Sequence, residues 1–264
     1  MCCRKMVLIA MLSAFCAASA AAQEFRVETD VFVGEEPEAT SHAVTLFEKS
    51  AVYEFTENPQ QIVVYRAADG DRAAEFILLD PQSQRRTEVE VAKIKTLMGK
   101  LAKWAGEQQD PVLKFAANPK FDEKFNEESG ELTLSSKEWT YRIATVPAEN
   151  QAALTRYRDF ADRYAELSTM LHGAVPPAAR QALDAALVKH KAIPVEIRRT
   201  TGGDEKNQVR AAHLFSWRLS REDRSRLDDA QKYLASFKKV DNEKFLTAVR
   251  GTDRDKTVVR GQSR

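Results

Sequence analysis

From Phe25 the apolar positions Phe25, Val27, Val31 and Val33 alternate with mostly charged ones, the period of two expected of a half-buried strand. Shorter runs of the same kind follow at Ala43 to Phe47, Val52 to Phe55, Ile62 to Tyr65 and Phe76 to Leu79, divided by turn residues such as Asn58-Pro59 and Asp69-Gly70. This spacing predicts an antiparallel meander. In the stretch EFILLDPQSQRRTEVEV, Leu79 ends one strand and Thr87, Val89 and Val91 alternate on the next, so Asp80-Pro81 reads as the turn between them. Aspartate at the first turn position accepts backbone hydrogen bonds, and proline at the second has its φ already set. The competing reading, a functional Asp80/Arg86 pair, lacks a nearby nucleophile or metal ligand.

Helical periodicity takes over at Val91, where Ile94, Leu97, Met98, Leu101, Trp104 and Ala105 form one apolar stripe that Asp110-Pro111 ends. Strands resume around Phe121 to Phe125 and Leu132 to Leu134, with Ser129-Gly130 as their turn, and Trp139, Tyr141 and Ile143 alternate on a third. Two helices are expected next. One, near Glu149 to Leu171, presents Leu154, Tyr157, Phe160, Tyr164, Leu167 and Leu171; the other opens after Pro176-Pro177 with Leu183 and Leu187 together. A hairpin then runs through Ile193, Val195 and Ile197, turns in TGGDEKNQ, and returns on Val209, Ala211, His213, Phe215, Trp217 and Leu219. Ser220 and Asp223 have the spacing of a capping box, opening a last helix on Leu227, Ala230, Leu234 and Phe237.

The first 22 residues change the picture. Arg4 and Lys5, an apolar run from Met6 to about Phe15 and an A-x-A arrangement at Ala20-Ala21-Ala22 have the pattern of a secretory signal peptide. The run is shorter than the roughly 20 residues of a spanning helix, and bulky Phe15 before Cys16 disfavours a lipoprotein site. Cleavage is expected before Gln23, or before Ala21. All three cysteines, Cys2, Cys3 and Cys16, lie in this segment, so the mature chain has no thiol for a disulfide, a zinc-thiolate site or a cysteine nucleophile. The remaining 242 of 264 residues are enough to bury roughly 70 to 75% of their unfolded surface in one domain, residues 23–250, without staples. The polar end from Gly251, residues 251–264, reads as a flexible tail.

Net charge is +1; losing Arg4 and Lys5 from 40 basic side chains leaves 38 against 39 acidic, or −1. No global drive toward nucleic acid or acidic membranes follows. None of H-E-x-x-H, G-x-S-x-G, G-x-x-x-x-G-K-[ST] or G-x-G-x-x-G occurs, which argues against the commonest zinc peptidases, α/β-hydrolases and nucleotide-binding enzymes. A dispersed carboxylate pair of the glycosidase kind stays open. In RYRDFADRY, Arg158/Asp162 and Asp159/Arg163 stand four apart, so opposite charges should meet on an outer helix face while Tyr157, Phe160 and Tyr164 meet on the inner one. His213 occupies the apolar side of its strand and shows no metal spacing with His42, His172 or His190, so it reads as a core histidine bonded to a neighbour.

The fold class expected is α+β: a strongly curved antiparallel sheet of about ten strands, covered on one face by about four helices. The strands from Phe25 to Val91, the helix at Val91 to Trp104 and the return strands Leu132 to Ile143 and Val209 to Leu219 follow an order that resembles the periplasmic lipoprotein-carrier (LolA-like) half-barrel family. That resemblance implies an apolar cavity between sheet and helices and carries over no residue role. The function expected is a non-enzymatic exported protein, periplasmic or extracellular, that holds a lipid or lipoprotein acyl chain without a cofactor. Its candidate lining is Phe76, Trp139, Tyr157, Phe160, Tyr164, His213, Phe215 and Trp217. The alternatives are an envelope scaffold with a solid core and a hydrolase using dispersed carboxylates.

Overall fold

The computed structural model describes residues 24–247 except 58 and 174, with the backbone alone of 204–207. The signal-peptide and tail assignments therefore lie outside the described residues. Twelve strands and five bounded helices are present: β1 (Phe25–Val33), β2 (Ser41–Phe47), β3 (Val52–Glu57), β4 (Gln60–Arg66), β5 (Glu75–Asp80), β6 (Arg85–Glu90), α1 (Val91–Glu107), α2 (Pro111–Ala117), β7 (Asp122–Asn126), β8 (Glu131–Ser135), β9 (Trp139–Pro147), α3 (Gln151–His172), α4 (Ala178–Lys189), β10 (Ala192–Thr201), β11 (Asp204–Ser216), α5 (Arg221–Ser236) and β12 (Lys238–Lys239). A sixth helix begins at 242.

All the strands join one open mixed sheet in the order β12-β6-β5-β4-β3-β2-β1-β11-β10-β9-β8-β7. Each neighbouring pair is antiparallel except β12 with β6. The first six strands make the expected meander, and the later hairpins join it where β1 pairs β11, Thr29 opposite His213 and Val27 opposite Phe215. The Asp80 turn is local: its carboxylate accepts from the Gln82 amide at 2.9 Å and the Ser83 amide at 3.2 Å.

Continuous apolar runs in β4 and β5 follow from burial on both faces. Val63, Tyr65, Phe76 and Leu78 pack toward α1 and α3, whereas Ile62, Val64, Ile77 and Leu79 pack toward Leu227, Ala230 and Phe237 at α5. A third cluster joins Leu132, Tyr141, Ile143 and Ile197 to Leu183 and Leu187 of α4 and to α2. Register places Ile143, Ile197, Ala211 and Val31 in one row, so this cluster lies on the α3 side. Coverage of a single face is thus corrected: α1 to α4 gather on one side and α5 crosses to the other. The odd and even residues of β4 and β5 are equally apolar, so each side of the sheet needs a cover.

The other departures are local. Asp110-Pro111 ends α1 and also starts α2, since the Asp110 carboxylate accepts from Val112 and Leu113 amides at 2.8 and 3.0 Å with proline at the first helical position. At α5 the capping box forms: the Ser220 hydroxyl accepts from the Asp223 amide at 3.1 Å, and the Asp223 carboxylate accepts from the Ser220 amide at 2.8 Å. Ser220→Ala is expected to cost about 1 kcal/mol, seen as a lower denaturant midpoint with an unchanged slope.

Candidate functional site

A cavity of about 400 Å³ lies between α3 and the strands β3, β2, β1 and β11. Its floor follows from the register. One row across the sheet is Phe215, Val27, Thr45 and Glu54; the next is His213, Thr29, Ala43 and Thr56; a third is Ala211, Val31 and Ser41. Ala43, Ala211 and Ser41 are too short to reach the helix. Ala161, Ala165 and Ser168 stand above them, four and three residues apart on one stripe of α3, and also line the cavity. Small side chains on both facing surfaces leave the gap. Phe47 closes one end, edge-on to Phe160 at 5.7 Å and near Tyr157 at 6.4 Å.

Glu54, His213 and Arg180 stand among the polar side chains that face this space. Glu54 is only 7% exposed and has no nearby cation; burial pushes its carboxyl up to about 7, against hydrogen bonds from the hydroxyls of Tyr164 and Thr45. His213 Nδ1 bonds the Thr29 hydroxyl at 3.0 Å, while its buried Nε2 has no partner. Burial lowers the imidazole to about 3, so the ring is neutral. The Arg180 guanidinium is fixed from behind: its Nε donates to both Asp184 oxygens, at 3.2 and 3.0 Å, and one Nη reaches the Tyr157 hydroxyl at 3.5 Å. Burial raises Asp184, an effect that Arg180 opposes.

Of the aromatic and histidine candidates, Tyr157, Phe160, Tyr164 and His213 line this cavity. Phe215 packs edge-on against Tyr157 at 5.3 Å, beside it. The other three are placed elsewhere. Phe76 is two strands beyond β3 and fully buried against Tyr65, Trp139 is two strands beyond β11 in the α4 cluster, and Trp217 follows β11 and is 37% exposed. Two strand spacings are about 10 Å, more than a side chain spans sideways. Glu54, Arg180, Thr29 and Thr45 went unnoticed in the sequence. The available signals were a carboxylate set between the apolar residues Tyr53 and Phe55 of a strand and an Arg180/Asp184 pair in helical step.

The charged side of RYRDFADRY also differs from expectation. Arg158 and Asp162 pair at 3.4 Å and Asp159 and Arg163 at 4.0 Å, as the spacing predicts. However, α4 packs against this side of α3, leaving Asp162 and Glu166 buried with one oxygen each unpartnered. Burial raises Asp162 to about 6, with the neighbouring Asp184 adding to the shift.

Other clefts of about 480, 390 and 380 Å³ exist, so volume alone does not single out this one. Its walls do: Val27, Phe47, Tyr157, Phe160, Thr45 and Glu54 are all buried. Glu54 is the one carboxylate among the residues lining it. No known protein family matches the sequence, and no curated protein shows significant similarity to it.

Proposed function

We propose that this chain is an exported, non-enzymatic binding protein whose sheet and helices form a half-barrel-like cradle, of the lipoprotein-carrier kind, around an apolar ligand such as a lipid or acyl chain. The observation carrying this reading is the cavity of about 400 Å³, above the roughly 300 Å³ at which ligand sites begin. Its walls suit the role, since Val27, Phe47 and Phe160 supply apolar surface among the polar side chains. A glycosidase-type hydrolase would need two converging carboxylates, and Glu54 is alone in the cavity.

The test is native mass spectrometry, with organic extraction, of the exported protein purified without detergent. A stoichiometric adduct is expected. Ala165→Phe, placed in the gap, should abolish it without lowering the thermal midpoint, because the added ring enters open space instead of a packed core. A bare polypeptide mass would favour a protein-interaction module instead. That second reading draws on α1, where Leu97 and Trp104, seven residues apart on one flank, are 43% and 50% exposed.

A further inference from the structure

We propose that the ligand in this cavity is a single-chain amphiphile with an uncharged, hydroxyl-bearing head, and that the head sits against His213. This inference rests on the ligand-binding reading and adds the chemistry of the ligand's polar end.

His213 and Thr29 meet across the seam of β11 and β1 on the cavity floor, whereas Glu54 lies on β3, three strands from β11. A buried ring nitrogen without a partner is unfavourable unless water or a ligand completes it, and His213 Nε2 is such an atom. Its other nitrogen is engaged by Thr29 at 3.0 Å, which fixes the ring. Whichever tautomer the imidazole adopts, a hydroxyl can satisfy Nε2, since it both donates and accepts. A carboxylate only accepts and an ammonium only donates.

Charge balance points the same way. Arg180 is the cation in the wall, and its Nε already meets both oxygens of Asp184. An anionic head would add an uncompensated charge beside this neutral pair. A cationic head would face the guanidinium. A neutral head adds neither, and burying an unpaired charge is the greater penalty. The gap itself, bounded by Ala43, Ala161, Ala165 and Ala211, is about 400 Å³. That space suits one chain instead of several.

Delipidated full-length exported protein is titrated calorimetrically at about pH 6, where Glu54 holds its proton, with three probes of equal chain length below their micelle concentrations: monodecanoylglycerol, decanoate and decyltrimethylammonium. Monodecanoylglycerol is expected to bind tightest. His213→Leu should weaken it about tenfold, a loss of one fully used hydrogen bond, and leave binding of a headless decane probe unchanged. Thr29→Val, which releases the ring without removing it, should give a smaller loss of the same selectivity. Tightest binding of decanoate or decyltrimethylammonium, or equal loss of decane and monodecanoylglycerol in His213→Leu, would overturn the assignment of the head while leaving the ligand reading in place. Failure of all four probes, decane included, would overturn both.

Discussion

Asp184→Ala is expected to destabilise the protein by about 3 kcal/mol, as a fall in denaturant midpoint without a change of slope. Asp184 is 1% exposed in its side chain and is the carboxylate that meets the Arg180 Nε. Deleting it strands a cation that keeps, among the described residues, a hydrogen bond to the Tyr157 hydroxyl. The loss should lie toward the lower end of the range for broken buried pairs, because Arg180 keeps 29% exposure, through which water can reach it. Replacing both partners, Arg180→Met with Asp184→Leu, should recover most of the loss, since neither desolvated charge then remains. A double variant as unstable as Asp184→Ala alone would show that the pair acts through shape and not charge.

Glu54→Gln should stabilise the protein increasingly as pH rises. The Glu54 carboxyl is raised from 4.5 to about 7 in the fold. Below pH 4.5 it is protonated whether the chain is folded or not. Between 4.5 and about 7 the unfolded chain loses this proton and the folded one keeps it, so stability falls with rising pH; above about 7 the loss is complete. The shift corresponds to roughly 3 kcal/mol. Two other groups titrate over the same range in the native protein. His213, lowered from 6.5 to about 3, makes stability rise across that interval, while Asp162, raised from 3.8 to about 6, makes it fall. The informative quantity is therefore the difference between Glu54→Gln and the native chain, measured by urea unfolding from about pH 4 to 8. It should widen up to about pH 7 and then level off; a difference independent of pH would mean that Glu54 is solvated.

Local pattern carried most of the fold because alternation, turn chemistry and capping act over a few residues. The strands β1 to β6, the stripe of α3, the Asp80 turn and the Ser220 cap all follow such rules, whereas the stripe expected on α1 is buried at Ile94, Met98 and Ala105 but exposed at Leu97 and Trp104. What escaped depends on contacts between distant segments. The two residues of β12 are strand only because they lie beside Arg85 and Arg86. That α5 covers the far face is encoded jointly, in its own stripe and in the second apolar face of β4 and β5. The site shows the same division. Tyr157, Phe160 and Tyr164 share a helix face by their spacing, and Ala161, Ala165 and Ser168 were equally visible on the same helix. Their meaning as empty space appears only when Ala43 and Ala211 are set opposite.

The seam between β1 and β11 sets the order in which the protein can assemble. Thr29 and His213 are 184 residues apart in the chain, yet they are hydrogen-bonded neighbours on the cavity floor. Loop closure over that distance is paid late and slowly. Until β11 has been synthesised, β1 presents an unpaired edge and the cavity lacks one wall. A chain emerging from its N-terminus therefore keeps this strand edge unpaired through most of its length, and completes the cavity floor in the same step that joins the two halves of the sheet.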